Sequence, residues 1–88
     1  MYSKQVIVKN RSGLHTKDLT TFIVCSHKFK SKIWIEREER RINAKSLLAV
    51  LSLDITSGTG IKLIADGDDD EQAVNELVQL IESNFDNV

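Results

Sequence analysis

The sequence predicts an α+β fold, an open-faced sandwich in which a four-stranded antiparallel sheet carries three helices on one face. Two observations predict it. Segments whose apolar residues alternate with polar ones have the period of half-buried strands, and they are separated by segments with the period of amphipathic helices. The resulting order is βαββαβα, and helices packed on one side of alternating strands leave the other side open. With 88 residues, we expect one domain over residues 1–88.

The first strand is predicted from about residue 2 to residue 8. Val6 and Val8 share one face of a β-branched run there. A turn cluster over residues 10–13 ends the strand, because Gly13 adopts the positive φ of a sharp reversal at little cost.

The first helix is predicted from Thr16 to about His27. Its apolar residues Leu19, Phe22 and Ile23 recur at steps of three and four. His15 is therefore expected where a loop becomes a helix.

A hairpin follows, with strands at residues 32–36 and 41–43. Ile33 and Ile35 alternate with Trp34, which places the isoleucines on one face and the tryptophan on the other. A highly charged turn is expected between the two strands.

A short helix is predicted after Ser46, because a serine directly before an apolar run is typical of an N-cap. By periodicity alone, we expect at least one of Leu47, Leu48 and Leu51 to belong to the core.

The fourth strand is predicted at residues 61–66, where Ile61, Leu63 and Ala65 share one face and Gly67 ends the run. Acids then begin the last helix, where the helix dipole favours them. Asp68 and Glu71 have capping-box spacing. The buried stripe of this helix is expected to contain Ala73, Val74, Leu77, Leu80, Ile81 and Phe85.

The composition limits the possible functions. Twelve Lys and Arg against thirteen Asp and Glu give a net charge of -1, so we expect no nucleic-acid partner. No apolar window approaches the roughly 20 residues of a membrane span, so we expect no signal peptide and no membrane insertion. The single Cys25 forms no internal disulfide and fits the cytoplasm. His15 and His27 lack a ligand cluster around them, so no metal site or cofactor is expected.

Two segments carry a resemblance that covers essentially the whole chain. Ser12-Gly13-Leu14-His15-Thr16 precedes the first helix, and Asn43 to Leu53 reads NAKSLLAVLSL. Because both segments are present at this spacing, the chain resembles the HPr family, the histidine-containing phosphocarriers of the sugar phosphotransferase system. Local features alone favour a polar helix cap at His15, and the two segments together reverse that interpretation.

The resemblance implies that enzyme I, charged by phosphoenolpyruvate, phosphorylates His15 at Nδ1. His15 then passes the group to sugar-specific IIA domains, which makes the chain a carrier and not an enzyme. A helix start offers unpaired N–H groups to phosphoryl oxygens without a metal, and a largely neutral imidazole is a fair nucleophile.

The residues after His15 depart from the family pattern of a small residue, arginine and proline, because this chain has Thr16-Lys17-Asp18. Lys17 keeps the positive charge for a phosphoryl contact but loses the bidentate fork of arginine. Asp18 suits a first helical turn but opposes the incoming charge. Unit charges ~6 Å apart repel by about 1 to 3 kcal/mol, which predicts a phosphorylation about tenfold or more weaker.

The resemblance also implies a regulatory site at Ser46. In relatives of the Gram-positive type, the ATP-dependent HPr kinase/phosphorylase modifies this serine, and the phosphoserine form is a corepressor with catabolite control protein A. A plain N-cap, worth about 1 kcal/mol, is compatible with that role. The implied partner-binding residues are Thr16, Thr20, Leu47, Leu48 and Leu51.

Two alternatives remain open at this stage. One is a Crh-like regulatory paralogue that acts through phosphorylated Ser46, with weak or no transfer at His15. Lys17 and Asp18 favour this regulator, whereas His15 favours the carrier. The other alternative is a protein-binding domain that uses neither phosphorylation site.

Overall fold

The computed structural model describes residues 1–9, 16–83 and 85, and its elements have the predicted order. Every predicted element is present. The bounds differ from those expected by about two residues or fewer, except at the end of the last helix, which stops at Glu82 and does not reach Phe85. The elements are β1 Tyr2–Ile7, α1 Thr16–Ser26, β2 Lys32–Arg37, β3 Arg40–Asn43, α2 Leu47–Leu51, β4 Gly60–Asp66 and α3 Asp70–Glu82.

The four strands form one antiparallel sheet in the order β1-β4-β2-β3. Ile35 of β2 lies opposite Ile42 of β3 on one side and Leu63 of β4 on the other. The inward residues of the sheet and the apolar stripes of the helices form a single buried cluster. Because one cluster takes residues from the sheet and from all three helices, the helices cover the same face, and the predicted fold class is confirmed.

The apolar stripes of the helices were largely predicted. Leu19 and Phe22 of α1 are buried, and Ile23 packs partly buried beside them. The stripe of α3 is also buried, although Leu80 is only partly so. The core residues from these stripes are Leu19, Phe22, Ala73, Val74, Leu77 and Ile81. Phe85 is buried too, but it lies beyond the end of α3 at Glu82, with a positive φ of 64°, so its expected place in the helical stripe is wrong.

One buried residue lies on the open face of the sheet. Ile64 is only 2% exposed, yet it does not belong to the main core cluster. It lies opposite Trp34 of β2, which is half-buried. Alternation within β4 predicted burial on one face alone, and the large side chain on the neighbouring strand explains why Ile64 is buried as well.

The start of α3 differs from the prediction. The N-cap is Asp69, not Asp68, and its side chain makes no capping bond to its own helix. Its carboxylate instead accepts hydrogen bonds from Lys30 and Ser31, in the loop between α1 and β2. The predicted capping box of Asp68 and Glu71 is therefore wrong, because the loop offers the acid at the helix start several donors.

The longest described helix is α3, with 13 residues. At 1.5 Å per residue it spans about 20 Å, less than the roughly 30 Å of a bilayer core. None of the helices in the described part of the chain is long and apolar enough to cross a membrane.

Candidate functional site

The predicted phosphorylation site at His15 lies outside the described residues. The residue that follows it, Thr16, is the first residue of α1. Thr16, Lys17 and Thr20 are all exposed, at the spacing that puts them on one side of the first helical turns. The Thr20 hydroxyl donates to the Thr16 carbonyl at 2.9 Å, so its hydrogen-bonding potential is met within the helix.

The first turn of α1 carries both departures from the family pattern. Lys17 is exposed and holds a positive charge at the helix start. Asp18 is half-buried and is the acid of the first turn, where the helix dipole stabilises it. The two residues therefore bring opposite charges to the same helix end.

Ser46 is the N-cap of α2, as the sequence predicted. Its backbone is extended, with φ -106° and ψ 115°, and its Oγ accepts a hydrogen bond from the Ala49 N–H at 3.3 Å. The side chain is half-buried. The cap fixes the direction of the Ser46 hydroxyl relative to the short helix.

The three leucines of α2 are exposed. Leu47 is 38%, Leu48 80% and Leu51 43% exposed, and we call these residues the leucine patch. Val50 and Leu53 are instead buried in the core. The expectation that at least one leucine of the patch belongs to the core is therefore wrong. The helix has only five residues, and Val50 is the one that it buries, so the leucines are left on the exposed side.

The two helices that carry the predicted partner-binding residues lie side by side. Leu19 of α1 and Leu51 of α2 line the same small cavity, near the start of α1. At the other end of α1, the His27 ring lies 3.2 Å from the Lys45 carbonyl, just before α2. The helices thus run in opposite directions, and the leucine patch adjoins α1.

Val24 is a further candidate that the sequence did not single out. It is 61% exposed, although it is an apolar residue in the last turn of α1. Thr16, Thr20 and Val24 follow one another at steps of four, so all three lie on the same exposed stripe. The sequence signal for its exposure is that Val24 does not lie on the same helical face as the buried residues Leu19 and Phe22.

Two arginines of the hairpin fasten the C-terminal end of α2. The Arg37 guanidinium donates to the carbonyls of Leu53 and Asp54, at 2.5 and 2.7 Å. The Arg40 guanidinium donates to the Ser52 carbonyl at 2.9 Å and to its hydroxyl at 3.1 Å. These bonds hold the C-cap Ser52 and the two residues that follow it against the hairpin, while backbone N–H groups satisfy the last carbonyls of the helix itself.

Other chemistry is sparse among the described residues. Burial raises the pKa of the Cys25 thiol, which keeps it in the unreactive protonated form. Nowhere in residues 1–9, 16–83 and 85 do three or more His, Cys, Asp or Glu residues cluster in a way that could hold a metal ion. A surface depression of about 920 Å³ is formed by β1, β4 and the ends of β2 and α3, and none of the predicted site residues that the structure describes lines it.

Comparison with known proteins identifies relatives over nearly the whole chain. A family model described as "PTS HPr component phosphorylation site" matches residues 2–83. The chain is 39% identical over 82 residues to the HPr-like protein Crh of Halalkalibacterium halodurans. This match covers 93% of this chain and 98% of that protein. It is 36% identical over 83 residues to the phosphocarrier protein HPr of Borreliella burgdorferi, covering 94% of this chain and 96% of that protein.

The fold is also similar to that of a solved structure. The crystal structure of HPr-C-His from Thermoanaerobacter tengcongensis superimposes with a TM-score of 0.93 and 41% identity. The match covers 97% of this chain and 96% of the other. The likeness therefore includes the segments that hold Thr16, Ser46 and the leucine patch.

Proposed function

The chain belongs to the HPr family of phosphocarrier proteins, and from this premise we propose that it carries a phosphoryl group on His15. Phospho-enzyme I donates the group, and an N–P bond forms at Nδ1 of His15 while the bond to enzyme I breaks. A sugar-specific IIA domain then accepts the group: the N–P bond at His15 breaks while a bond to the IIA domain forms. We place this exchange in the cytoplasm.

The exposed leucine patch is the observation that carries this proposal. A solvated cluster of large apolar side chains is costly unless a partner covers it, so such a patch marks an interaction surface. The patch adjoins α1, whose first residue directly follows His15 in the chain. A partner docked on the patch and on Thr16 and Thr20 would thus lie beside the phosphorylation site.

We propose that Ser46 is the regulatory site of the same surface. An HPr kinase/phosphorylase transfers the γ-phosphoryl group of ATP to the Ser46 Oγ, and ADP leaves. Ser46 immediately precedes Leu47 and Leu48. The new charge of about -1.5 to -2 would oppose apolar docking there, and it would offer catabolite control protein A a distinct surface.

A second candidate is a Crh-like regulator that acts through phosphorylated Ser46, with weak or no transfer at His15. Lys17 and Asp18 favour it, because the lysine lacks the arginine fork and the aspartate opposes a phosphoryl group at the helix start. The 39% identity to a Crh protein agrees with either candidate, since an HPr protein is 36% identical.

Labelling with radioactive phosphoenolpyruvate and the enzyme I of the source organism separates the candidates. The carrier predicts acid-labile label on the parent and none on His15→Ala, whose melting temperature should stay near that of the parent. Rapid transfer onward to a IIA domain completes the test. Absence of label on the folded parent would reject the carrier, and label that survives acid would reject phosphohistidine, because a phosphoramidate is hydrolysed in acid and a phosphoserine is not.

A further inference from the structure

The ring of His27 bonds to the backbone directly before Ser46. Its Nε2 lies 3.2 Å from the carbonyl oxygen of Lys45, although the two residues are 18 positions apart in the chain. A carbonyl oxygen has no hydrogen to give, so Nε2 is the donor and carries the hydrogen. His27 is exposed, and it forms this bond at the end of α1 without being buried in the core.

The side chain of Lys45 makes a second bond to the segment that follows α1. Its ammonium donates to the carbonyl of Phe29 at 2.7 Å. The two bonds, His27 to Lys45 and Lys45 to Phe29, form what we call the α1–turn clasp. The residue before Ser46 is thereby held to the segment after α1 at both its backbone and its side chain.

The turn that leads into α2 is closed by further bonds. The Lys45 N–H donates to the Asn43 side-chain oxygen at 2.9 Å, and the Ser46 N–H donates to the Asn43 carbonyl at 3.2 Å. The Ala49 N–H then donates to the Ser46 Oγ. The clasp connects this turn to His27 and Phe29, which closely follow α1, so it fixes where Ser46 lies relative to the end of that helix.

We propose that His27 is a positioning residue for phosphoryl transfer to Ser46. The inference rests on the proposed phosphorylation of Ser46 and deepens it. A kinase must align the Ser46 Oγ with the γ-phosphorus of ATP, and small misplacements of a reacting group slow transfer strongly. By holding the Lys45 carbonyl, His27 sets the place of the serine that follows it.

Amide hydrogen exchange of the unmodified chain tests the clasp first. The reporters are the N–H groups of Lys45, Ser46 and Ala49. We expect His27→Ala to speed their exchange about fivefold, the effect of losing one ordinary hydrogen bond, while the core strands exchange as before. His27→Gln keeps an N–H donor of similar reach and should restore parental exchange. Lys28→Ala, the neighbouring exposed residue, is the matched control and should change nothing.

Kinetics with an HPr kinase and ATP test the positioning role. We expect His27→Ala to lower kcat for Ser46 about fivefold at nearly unchanged KM, with His27→Gln within about twofold of the parent. If the parent is labelled on Ser46 and His27→Ala matches it in kcat and in exchange, the proposal is overturned. A rise in KM alone, not rescued by glutamine, would make His27 a kinase contact and also overturn it. Failure of the kinase to label the folded parent would instead refute the proposed phosphorylation of Ser46 itself.

Discussion

The carboxylate of Asp69 accepts two hydrogen bonds from Ser31, one from its backbone N–H at 3.0 Å and one from its hydroxyl. The same carboxylate accepts the Lys30 N–H at 2.9 Å. Asp69 thus fastens the loop after α1 to the start of α3. The Ser31 hydroxyl and the Lys30 amide stabilise the charged form and hold the pKa of Asp69 below its ordinary value of 3.8.

This depressed pKa predicts a pH-dependent stability. Because Asp69 loses its proton more readily in the folded chain, its bonds stabilise the fold at pH values above 3.8, the ordinary value. The contribution is lost as pH falls through the lower, folded pKa. We expect Asp69→Asn to be less stable than the parent in urea unfolding at pH 7, and this difference to shrink toward pH 2.

The neighbouring exposed residue supplies the control for that titration. Asp68→Asn removes the same charge one position earlier, without touching Ser31 or Lys30. Its stability difference from the parent should be small at pH 7. An equal loss in the two variants would show that net charge, and not the bonds to the loop, explains the effect of Asp69.

Gly67 is predicted to tolerate no side chain. A Cβ at this position would lie 2.8 Å from the Ser31 Cα, and a backbone atom cannot turn aside as a side chain can. We expect Gly67→Ala to lower the free energy of unfolding by about 2 kcal/mol or more. Gly60→Ala adds the same methyl group where no atom lies within 4 Å. Denaturant unfolding of both variants checks the prediction, which fails if their losses are equal.

The leucine patch is predicted to matter for docking and not for folding. Leu48→Ser should change the free energy of unfolding by less than about 0.5 kcal/mol, because the side chain is 80% exposed. It should raise the KM for enzyme I about tenfold. Val50→Ala is the reverse case, with a loss of about 2 kcal/mol in stability and a parental KM below its melting temperature. A parental KM for Leu48→Ser would remove Leu48 from the docking surface.

Restoring the family residues at the start of α1 is predicted to speed transfer. Lys17→Arg supplies the bidentate fork, and Asp18→Pro removes the opposing charge at a helical position that accepts proline. We expect the Asp18 change to have the larger effect, about tenfold in the rate of phosphorylation by enzyme I. If the double variant is no faster than the parent at matched stability, the charge of Asp18 does not limit transfer.

A charge at Ser46 is predicted to weaken docking of enzyme I. Ser46→Asp retains an N-cap, so the fold should keep its stability, but the acid lies beside Leu47 and Leu48. The KM should rise at low salt and return toward the parental value as salt screens the charge over about 8 Å. Ser57→Asp makes the same change in the exposed turn after α2. Identical KM values for Ser46→Asp and the parent at low salt would leave Ser46 as a helix cap alone.

Patterns along the chain were sufficient for the fold because each element has a clear period. Alternation identified Ile33 and Ile35, and helical spacing identified Leu19 and Phe22. Residues whose environment depends on a distant segment were not predicted. Ile64 is buried opposite Trp34 on a neighbouring strand. The alternation of residues within β4 does not predict which residue of another strand lies beside it.

The site was predicted through resemblance more than through periodicity. The short run of leucines does not reveal which side of α2 is buried, and the structure places Val50 there. The bond from His27 to Lys45 joins positions far apart in the chain, so no local pattern around His27 predicts it. The local surroundings of His15 lie outside the described residues, so its role rests on the family segments.

The bonds from Arg37 and Arg40 to the end of α2 have a consequence for association. They join the short helix to the β2–β3 hairpin, so the leucine patch does not need to be ordered by the protein that covers it. The conformational entropy of fixing this helix is lost during folding and not during complex formation. A five-residue helix, far too short to persist alone in water, can thus present a preorganised surface to several partners in turn.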